Sequence, residues 1–273
     1  MDAARRPPFG IALARFEIAA AAAVSDGLAA RVAFRQFATP RRFEAPEAER
    51  VVLASARPFR VEGLAAWRWG AGPTVLLAHG WEGRGGQLGA FVAPIVARGF
   101  SVVAFDSWAH GVSPGRRATL GTFSDSILTI ARRIGAPHAV VAHSLGALGT
   151  LLAIRRGLRA ESLVLVGMPS PAASFETYRQ IVGLPEAVVE PTKRRIARMV
   201  GVPIDDAEGA SLVAGTSARG LVIHDADDRE QSIENSRALA RAWAGSELLE
   251  TAGLGHRRIL KAESVVTRAA AFV

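Results

Sequence analysis

The sequence contains no cysteine, almost no lysine and no apolar run near the length that spans a bilayer. Without cysteine the chain has no disulfides, no thiolate metal ligands and no cysteine nucleophile. Its uninterrupted apolar stretches are all well short of the roughly 20 residues of a transmembrane helix. The absence of cysteine fits a reducing compartment, and we expect a cytoplasmic location.

Positive charge is carried almost entirely by arginine. Of 33 basic residues only Lys193 and Lys261 are lysines, and the formal net charge is +8. A nucleic-acid-binding surface would need clustered basic residues interleaved with aromatic ones, whereas these arginines are scattered singly or in pairs. We therefore interpret them as a solvated surface and expect no nucleic-acid partner.

Short apolar runs alternate with helical segments along most of the 273 residues. Antiparallel strands are predicted within 51–69, one of them at 64–69. Buried strands are predicted at 74–78, 101–105, 138–142, 162–166, 220–223 and 248–251. Helices are predicted at 87–98, 122–134, 148–154 and 232–243 and at the end of the chain. This alternation predicts one α/β domain, with a mostly parallel sheet covered by helices on both faces.

Two segments depart from the alternation. Residues 1–50 are predicted to form an N-terminal helical extension and a linker, and residues 171–218 are predicted to form a small helical cap. The α/β core would then consist of residues 51–170 and 219–273.

Residues 9–37 have a helical period with a break expected near Asp26. The apolar positions that recur are Phe9, Leu13, Phe16, Ala20, Val24, Leu28 and Val32. We interpret this stripe as the face that docks the extension onto the main body. A secretory signal is a second interpretation, because Arg5 and Arg6 precede an alanine-rich run, although charges inside that run count against it. A membrane-surface helix is the third, and we expect no such contact.

One buried strand ends abruptly in a serine. Residues 142–146 read Ala-His-Ser-Leu-Gly, close to the Gly-x-Ser-x-Gly pattern of a nucleophile on a sharp strand-to-helix turn, with Ala142 replacing the first glycine. At such a turn the Ser144 hydroxyl is exposed. The Leu145 N–H, at the head of the next helix, can stabilise an oxyanion with help from the helix dipole. The alternative is a buried strand followed by a closely packed helix without a catalytic role.

Polar residues also follow the other predicted strands, where functional groups of such sheets collect. These positions are His79, Gly80 and Trp81, then Asp106, then residues 224–228, and finally the glycine-rich segment that ends at His256. A serine, an acid and a histidine in this chain order are typical of a hydrolytic triad.

These motifs resemble the α/β-hydrolase superfamily over roughly residues 60–272. The resemblance implies the α/β-hydrolase fold, with Ser144 as nucleophile, His256 as general base and Asp228 as the acid that orients the imidazole. The superfamily usually has glycine where this chain has Asp225. Two neighbouring acids, Asp225 and Asp227, therefore stay open as alternatives to Asp228.

The resemblance also implies the Trp81 N–H as the second oxyanion donor. Supporting roles in holding loops are expected for His79, Gly80, Asp106, His110, His143 and Gly146. His224 is an alternative base. No histidine pair has the spacing of a helix-borne zinc site, so we expect no metal or cofactor. The glycines at 83–89 are not followed by the Gly-Lys-Ser/Thr sequence that ends a phosphate-binding loop. We interpret them as a flexible loop near the oxyanion site.

The sequence therefore predicts a serine hydrolase that cleaves a small-molecule carboxylic ester through an acyl-enzyme. Acyl transfer, thioester cleavage and non-catalytic ligand binding on the same fold are the alternatives. The apolar residues Trp81, Trp108, Phe175 and Ile181 indicate an acyl group of modest size. The oligomeric state is left open.

Overall fold

The computed structural model describes residues 9–273. Arg5 and Arg6, on which the signal-peptide interpretation depends, lie outside the described residues. The helices are α1 Phe9–Ala22, α2 Asp26–Phe37, α3 Glu47–Ala54, α4 Val92–Val96, α5 Leu120–Ile134, α6 Leu145–Arg155, α7 Pro171–Val182, α8 Glu186–Val200, α9 Gly209–Leu212, α10 Ile233–Ala242, α11 Gly255–Arg258 and α12 Glu263–Phe272. The strands are β1 Arg57–Val61, β2 Leu64–Trp69, β3 Thr74–Ala78, β4 Ser101–Phe105, β5 Ala139–His143, β6 Ser162–Val166, β7 Arg219–Asp225 and β8 Glu247–Thr251.

The eight strands form one sheet in the order β1-β2-β4-β3-β5-β6-β7-β8. β1 pairs with β2 and β2 with β4 in antiparallel fashion, and the other five pairings are parallel. The prediction of a mostly parallel sheet is confirmed. Because parallel strands end at the same edge, residues far apart in sequence meet there.

The central strands are buried on both faces. All five residues of β4, β5 and β6 are buried. Strand residues such as Val75, Val102 and Val141 share one core cluster with Phe91 and Ala269 from helical segments. This core fixes the positions of the strand ends, and those ends carry the candidate site.

The chain divides into two compact units. One contains the residues up to Thr39 together with Pro171–Ala207, and the other contains Pro40–Ser170 and Glu208–Val273. The boundaries thus fall after residues 39, 170 and 207, whereas the sequence predicted them after residues 50, 170 and 218. The whole sheet belongs to the second unit.

Two segments of the second unit differ from the prediction. Residues 47–54 form α3 instead of linker and strand, since Glu47 and Glu49 in its first turn stabilise a helix N-terminus. The predicted helix at 87–98 is a 3₁₀ segment, Gly85–Phe91, followed by α4. The glycines of this segment do not form the flexible loop that the sequence predicted. Instead they permit close packing, since a Cβ on Gly89 would lie 3.1 Å from the Val52 side chain.

In the helical unit, the expected apolar stripe is not the buried face. Phe9, Phe16 and Val24 are 84%, 69% and 74% exposed. The buried positions are Ile18, Ala21, Ala29, Ala30, Ala33 and Phe34. The prediction that this stripe, from Phe9 to Val32, forms the docking face is therefore wrong. Four of these six buried positions are alanines, and small side chains carry little weight in a pattern of large apolar residues.

Candidate active site

Ser144 occupies the turn between β5 and α6, as the sequence predicted. Its backbone has φ 51° and ψ −124°, and a positive φ is uncommon and strained for a residue other than glycine. The turn is held by the Ser144 N–H, which donates to the Val166 carbonyl at 2.8 Å. A strained strand-to-helix turn of this kind places a serine side chain at the edge of the sheet. Ser144 is buried there, with 8% of its surface exposed, whereas the motif predicted an exposed hydroxyl.

Two glycines make room for this turn. A Cβ on Gly146 would lie 2.3 Å from the His79 carbonyl oxygen, and a Cβ on Gly80 would lie 2.9 Å from the Ser144 Cβ. Both separations are too short for any larger residue. Ala142 replaces the first glycine of the usual motif and is fully buried within β5, so that substitution is accommodated.

His256 and Asp228, 28 positions apart, meet in the structure. The His256 Nδ1–H donates to Asp228 Oδ2 at 2.6 Å, and both side chains are almost completely buried. The His256 ring lies beside the residue that precedes Ser144, because its centroid is 4.6 Å from that of His143. The structure thus brings the predicted base and acid together next to the serine turn.

Asp228 is held by several further donors. Its Oδ1 accepts the N–H groups of Glu230 at 2.8 Å and Gln231 at 2.9 Å. His224 Nε2 lies 3.3 Å from Oδ2. Although burial alone would raise the pKa of Asp228, hydrogen bonds from His224 and His256 hold that pKa well below its usual range. The carboxyl group therefore stays ionised at neutral pH.

His224 was the alternative base, and the structure places it behind the acid. Its ring is fully buried. Nδ1 lies 2.6 Å from Ser236 Oγ, and Nε2 contacts both the Gln231 carbonyl at 3.1 Å and Asp228. Both ring nitrogens are thus engaged inside the protein. This geometry suits a residue that supports the carboxylate and not one that takes a proton from a substrate.

Asp225 and Asp227 bind the loop backbone and not the imidazole. Asp225 is buried and accepts the N–H groups of Gly255 at 2.9 Å and Leu254 at 3.1 Å. Asp227 accepts the Gly253 N–H at 2.8 Å. Burial alone would raise the pKa of Asp225, but these N–H donors and a hydroxyl keep that pKa below its usual value. The acid that replaces the usual glycine thus fastens the segment directly before His256.

His143 fastens the same loop from the other side. Its Nε2–H donates to the His256 carbonyl at 2.9 Å. Burial and the neighbouring His256 lower the pKa of His143 to about 3, so its ring is neutral. This contact is consistent with the expected role of His143 in holding a loop.

His79 and Asp106 connect the loops that follow β3 and β4. The His79 Nδ1–H donates to the Gly80 carbonyl at 2.7 Å, and Nε2 accepts the Ser107 N–H at 3.0 Å. Asp106 accepts the Gly85 N–H at 2.7 Å and a second backbone N–H from the following loop.

His110 lies beside His79, with ring centroids 5.2 Å apart. Its Nδ1–H donates to the Trp108 carbonyl at 2.9 Å. Burial lowers the pKa of His79 to about 4 and the pKa of His110 to about 3. Both rings are therefore neutral at physiological pH, and their hydrogen bonds to the backbone hold the loops in place.

The two predicted oxyanion donors have packed side chains. Trp81 and Leu145 both pack against a small cluster formed by Ala109, Ala118 and Phe123. Their side chains therefore anchor the two backbone segments whose N–H groups are the predicted donors. Phe175, another apolar residue expected near the acyl group, lies in the helical unit. Its ring packs edge-on against Phe37, with ring centroids 5.8 Å apart.

Two arginines that the sequence analysis assigned to a linker clamp the loops of the site. Arg41 forms a two-pronged ion pair with Glu82, with N···O distances of 2.9 and 3.0 Å, and its backbone N–H donates to the same carboxylate at 3.0 Å. Glu82 directly follows Trp81 and has a positive φ of 55°. Arg42 donates to the carbonyls of Gly111, Ser113 and Gly115 in the loop after β4. The signal available was the pair of adjacent arginines after Pro40, but nothing local indicates their partners.

A family model described as serine aminopeptidase, S33, matches residues 71–245. No curated protein matches the chain in sequence. The matched range contains Ser144 and Asp228 but ends before His256.

Solved structures resemble the chain much more closely in fold than in sequence. A bacterial membrane phospholipase A, described as a virulence factor, is 18% identical with a TM-score of 0.61, over 82% of this chain and 87% of that one. Est816, described as an N-acyl homoserine lactone degrading enzyme, is 14% identical with a TM-score of 0.61, over 80% and 100%. A thermophilic esterase from Thermogutta terrifontis is 18% identical with a TM-score of 0.60, over 78% and 96%. These similarities confirm the expected α/β-hydrolase fold.

The Asp225 contacts generate a first prediction. Asp225 accepts from four donors, the N–H groups of Asp227, Leu254 and Gly255 and the Thr251 hydroxyl. Replacing Asp225 with Asn places an amide N–H₂ among them, so at least one donor loses its acceptor, and we expect a loss of about 1–3 kcal/mol in unfolding free energy. Amide exchange at Leu254 and Gly255 should become faster. Asp227→Asn is the matched control, because Asp227 is exposed and binds one loop N–H. Urea denaturation and hydrogen exchange of residues 251–256 measure both effects, and equal behaviour of the two variants would contradict the assignment.

The Arg41–Glu82 pair generates a second prediction. Arg41 is largely exposed and Glu82 is largely buried, so the pair should stabilise the fold only modestly. A double-mutant cycle with Arg41→Ala and Glu82→Ala should give a coupling free energy of about 0.5–1 kcal/mol, at the upper end for exposed pairs because the contact is bidentate. Additive effects of the two substitutions would show that the clamp is not formed in solution.

The buried histidines generate a third prediction, on pH. The pKa values of His79, His110 and His143 lie near 4, 3 and 3 in the folded chain, below the value of about 6.5 in the unfolded chain. As pH falls below 6.5 the unfolded chain binds protons that the folded chain does not, so stability decreases. Each such group contributes a slope of up to about 1.4 kcal/mol per pH unit. Urea denaturation between pH 6.5 and 4.5 should show this loss, and His110→Gln should reduce the slope. A flat profile would contradict the buried, neutral rings.

Proposed function

We propose that this chain, which belongs to the serine aminopeptidase S33 family of the α/β-hydrolase superfamily, is a serine hydrolase that cleaves carboxylic esters. The observation that carries the proposal is the buried 2.6 Å bond between His256 and Asp228 beside the strained serine turn. Fold alone would not support an activity, since one fold serves many chemistries.

In the proposed reaction Ser144 is the nucleophile. A serine hydroxyl is a poor nucleophile at neutral pH and needs an adjacent base. His256 Nε2 takes the hydroxyl proton as the oxygen attacks the ester carbonyl, and the resulting imidazolium returns that proton to the departing alcohol. Water then attacks the acyl-enzyme with the same base, which releases the carboxylic acid and restores Ser144.

Asp228 would keep the imidazole ready for this cycle. Because Asp228 accepts the proton on Nδ1, it selects the tautomer in which Nε2 has a free lone pair. The low pKa of Asp228 means that its negative charge is present throughout the neutral range and stabilises the imidazolium. Asp225 and His143 would act through the backbone by holding the loop that carries the ring.

Negative charge on the substrate oxygen would be stabilised by the N–H groups of Leu145 and Trp81. Leu145 is the first residue of α6, so its N–H has no partner in that helix and lies at the positive end of the helix dipole. In comparable sites, loss of one such donor costs about 2.7–4 kcal/mol of transition-state stabilisation.

Peptide hydrolysis is the second candidate, because the family model is described by an aminopeptidase. An aminopeptidase binds the ammonium group of its substrate, for which an unpaired carboxylate is the natural partner. Glu82, the acid beside Trp81, is paired with Arg41. The similar structures described as esterase and phospholipase also favour an ester substrate.

An active-site probe and two substrate series test the proposal. A fluorophosphonate should label the wild-type chain and fail to label Ser144→Ala. Chromogenic esters of increasing acyl length should be hydrolysed faster than aminoacyl anilides. Faster hydrolysis of the anilides would instead favour the peptidase. Asp228→Asn should lower kcat by about 10⁴-fold, as amidation of a triad acid does.

Asp227→Asn is the matched control for that substitution. It changes the neighbouring acid, which does not contact the imidazole, and should keep kcat within a few fold. Absence of labelling in well-folded protein would favour a non-catalytic binding role instead. Transfer of the acyl group to an added alcohol in preference to water would favour an acyltransferase.

A further inference from the structure

The first helix presents an apolar face to solvent. Phe9, Phe16 and Val24 are 84%, 69% and 74% exposed, and Leu13 and Leu28 are exposed as well. Phe9, Leu13 and Phe16 follow one another at spacings of four and three residues and therefore lie on one face of α1, whereas Val24 lies in the turn after α1 and Leu28 lies in α2. Isolated exposed apolar residues are ordinary, but a continuous row of large ones marks an interaction surface.

The only two charged side chains of α1 are bound within the helical unit. The Arg15 Nε–H donates to the Ile181 carbonyl at 2.9 Å. Glu17 accepts from Arg35 and from the Gln36 side chain, both at 3.0 Å. The helix therefore directs its charges towards α7 and α2. All its other side chains are apolar, so the exposed face is formed by carbon atoms.

The dimensions of α1 suit a helix that lies on a bilayer. It has 14 residues, or roughly 21 Å at the usual rise per residue, too short for a hydrocarbon core of about 30 Å. Within residues 9–273, no helix combines the length and apolar character needed to cross a membrane. A helix too short to span the bilayer can still lie in its interface with an exposed apolar face buried at the boundary between headgroups and acyl chains.

The basic residues that flank the apolar face of α1 indicate which kind of surface would attract this helix. In the sequence Arg5 and Arg6 precede Phe9, the first exposed phenylalanine, with Pro7 and Pro8 between them. Arg31 is exposed one turn after Leu28 in α2. The whole chain carries a formal charge of +8. Anionic headgroups attract such basic residues, whereas a second copy of the chain would bring the same positive charge.

We propose that the exposed α1 face, defined by Phe9, Leu13 and Phe16, binds the surface of an anionic lipid bilayer. The apolar side chains enter the boundary between headgroups and acyl chains, and the arginines contact the headgroups. This inference does not rest on the proposed esterase activity. It reverses the expectation drawn from sequence, because the stripe assigned to internal docking is the one that the structure leaves exposed.

Flotation with vesicles tests the proposal on the full chain. Wild-type protein should float with vesicles of phosphatidylcholine and phosphatidylglycerol in equal parts, and less with phosphatidylcholine alone. The double variant Phe9→Ser, Phe16→Ser should bind at least about tenfold more weakly, because two aromatic rings no longer enter the lipid. Phe43→Ser is the matched control, since Phe43 is 52% exposed but lies outside the helical unit, and should bind as the wild type does. High salt should remove the preference for anionic vesicles.

Several results would overturn the inference. These are no flotation of the wild type, unchanged flotation of the double variant, or an equal loss in Phe43→Ser. A dimer in light scattering that the double variant dissociates, without vesicle binding, would assign the face to a second copy. Circular dichroism should show all variants folded, because the replaced side chains are exposed. Ser144→Ala should float normally, so failure of the lipid inference and failure of the hydrolase proposal are separable.

Discussion

Two buried carboxylates at the end of β7 obtain their hydrogen bonds from chain segments that follow them. Asp228 accepts the imidazole N–H of His256, and Asp225 accepts the two backbone N–H groups directly before that residue. A buried carboxylate without donors is costly, so both groups require the loop after β8 to lie where it does. One set of electrostatic contacts thereby fixes the position of the ring and the path of its loop, and the sheet supplies the rigid end from which both acids project.

Backbone strain is concentrated at the same edge of the sheet. Among the described residues four non-glycine residues have a positive φ, and three of them, Glu82, Ala109 and Ser144, lie in the connections that follow β3, β4 and β5. Such conformations persist only where surrounding contacts enforce them. Here the contacts are the Arg41 clamp on Glu82, the Pro114 carbonyl that accepts the Ala109 N–H at 2.7 Å, and the Val166 carbonyl behind Ser144. The fold thus stabilises local geometry that these residues would not adopt alone.

The sequence was informative wherever the signal was local. The continuous apolar runs gave the parallel strands to within about two residues, and the abrupt serine after β5 indicated the turn at Ser144. The sequence left three acids open between positions 225 and 228, because neighbours in a loop point in directions that spacing does not specify. It also missed Arg41 and Arg42, whose partners lie about 40 and 70 positions away. The helical stripe failed for a related reason, since periodicity identifies an apolar face but not whether protein covers it.

What the sequence by itself determined is the order of elements and the residues at the strand ends, because strand propensity, turn chemistry and glycine placement act over a few residues. Only the tertiary structure decided which carboxylate meets His256, which one fastens its loop, and which side of α1 is buried. Those outcomes depend on distances between segments far apart in the chain. Hydrogen bonding and close packing select partners through space, and the order of residues along the chain does not state them.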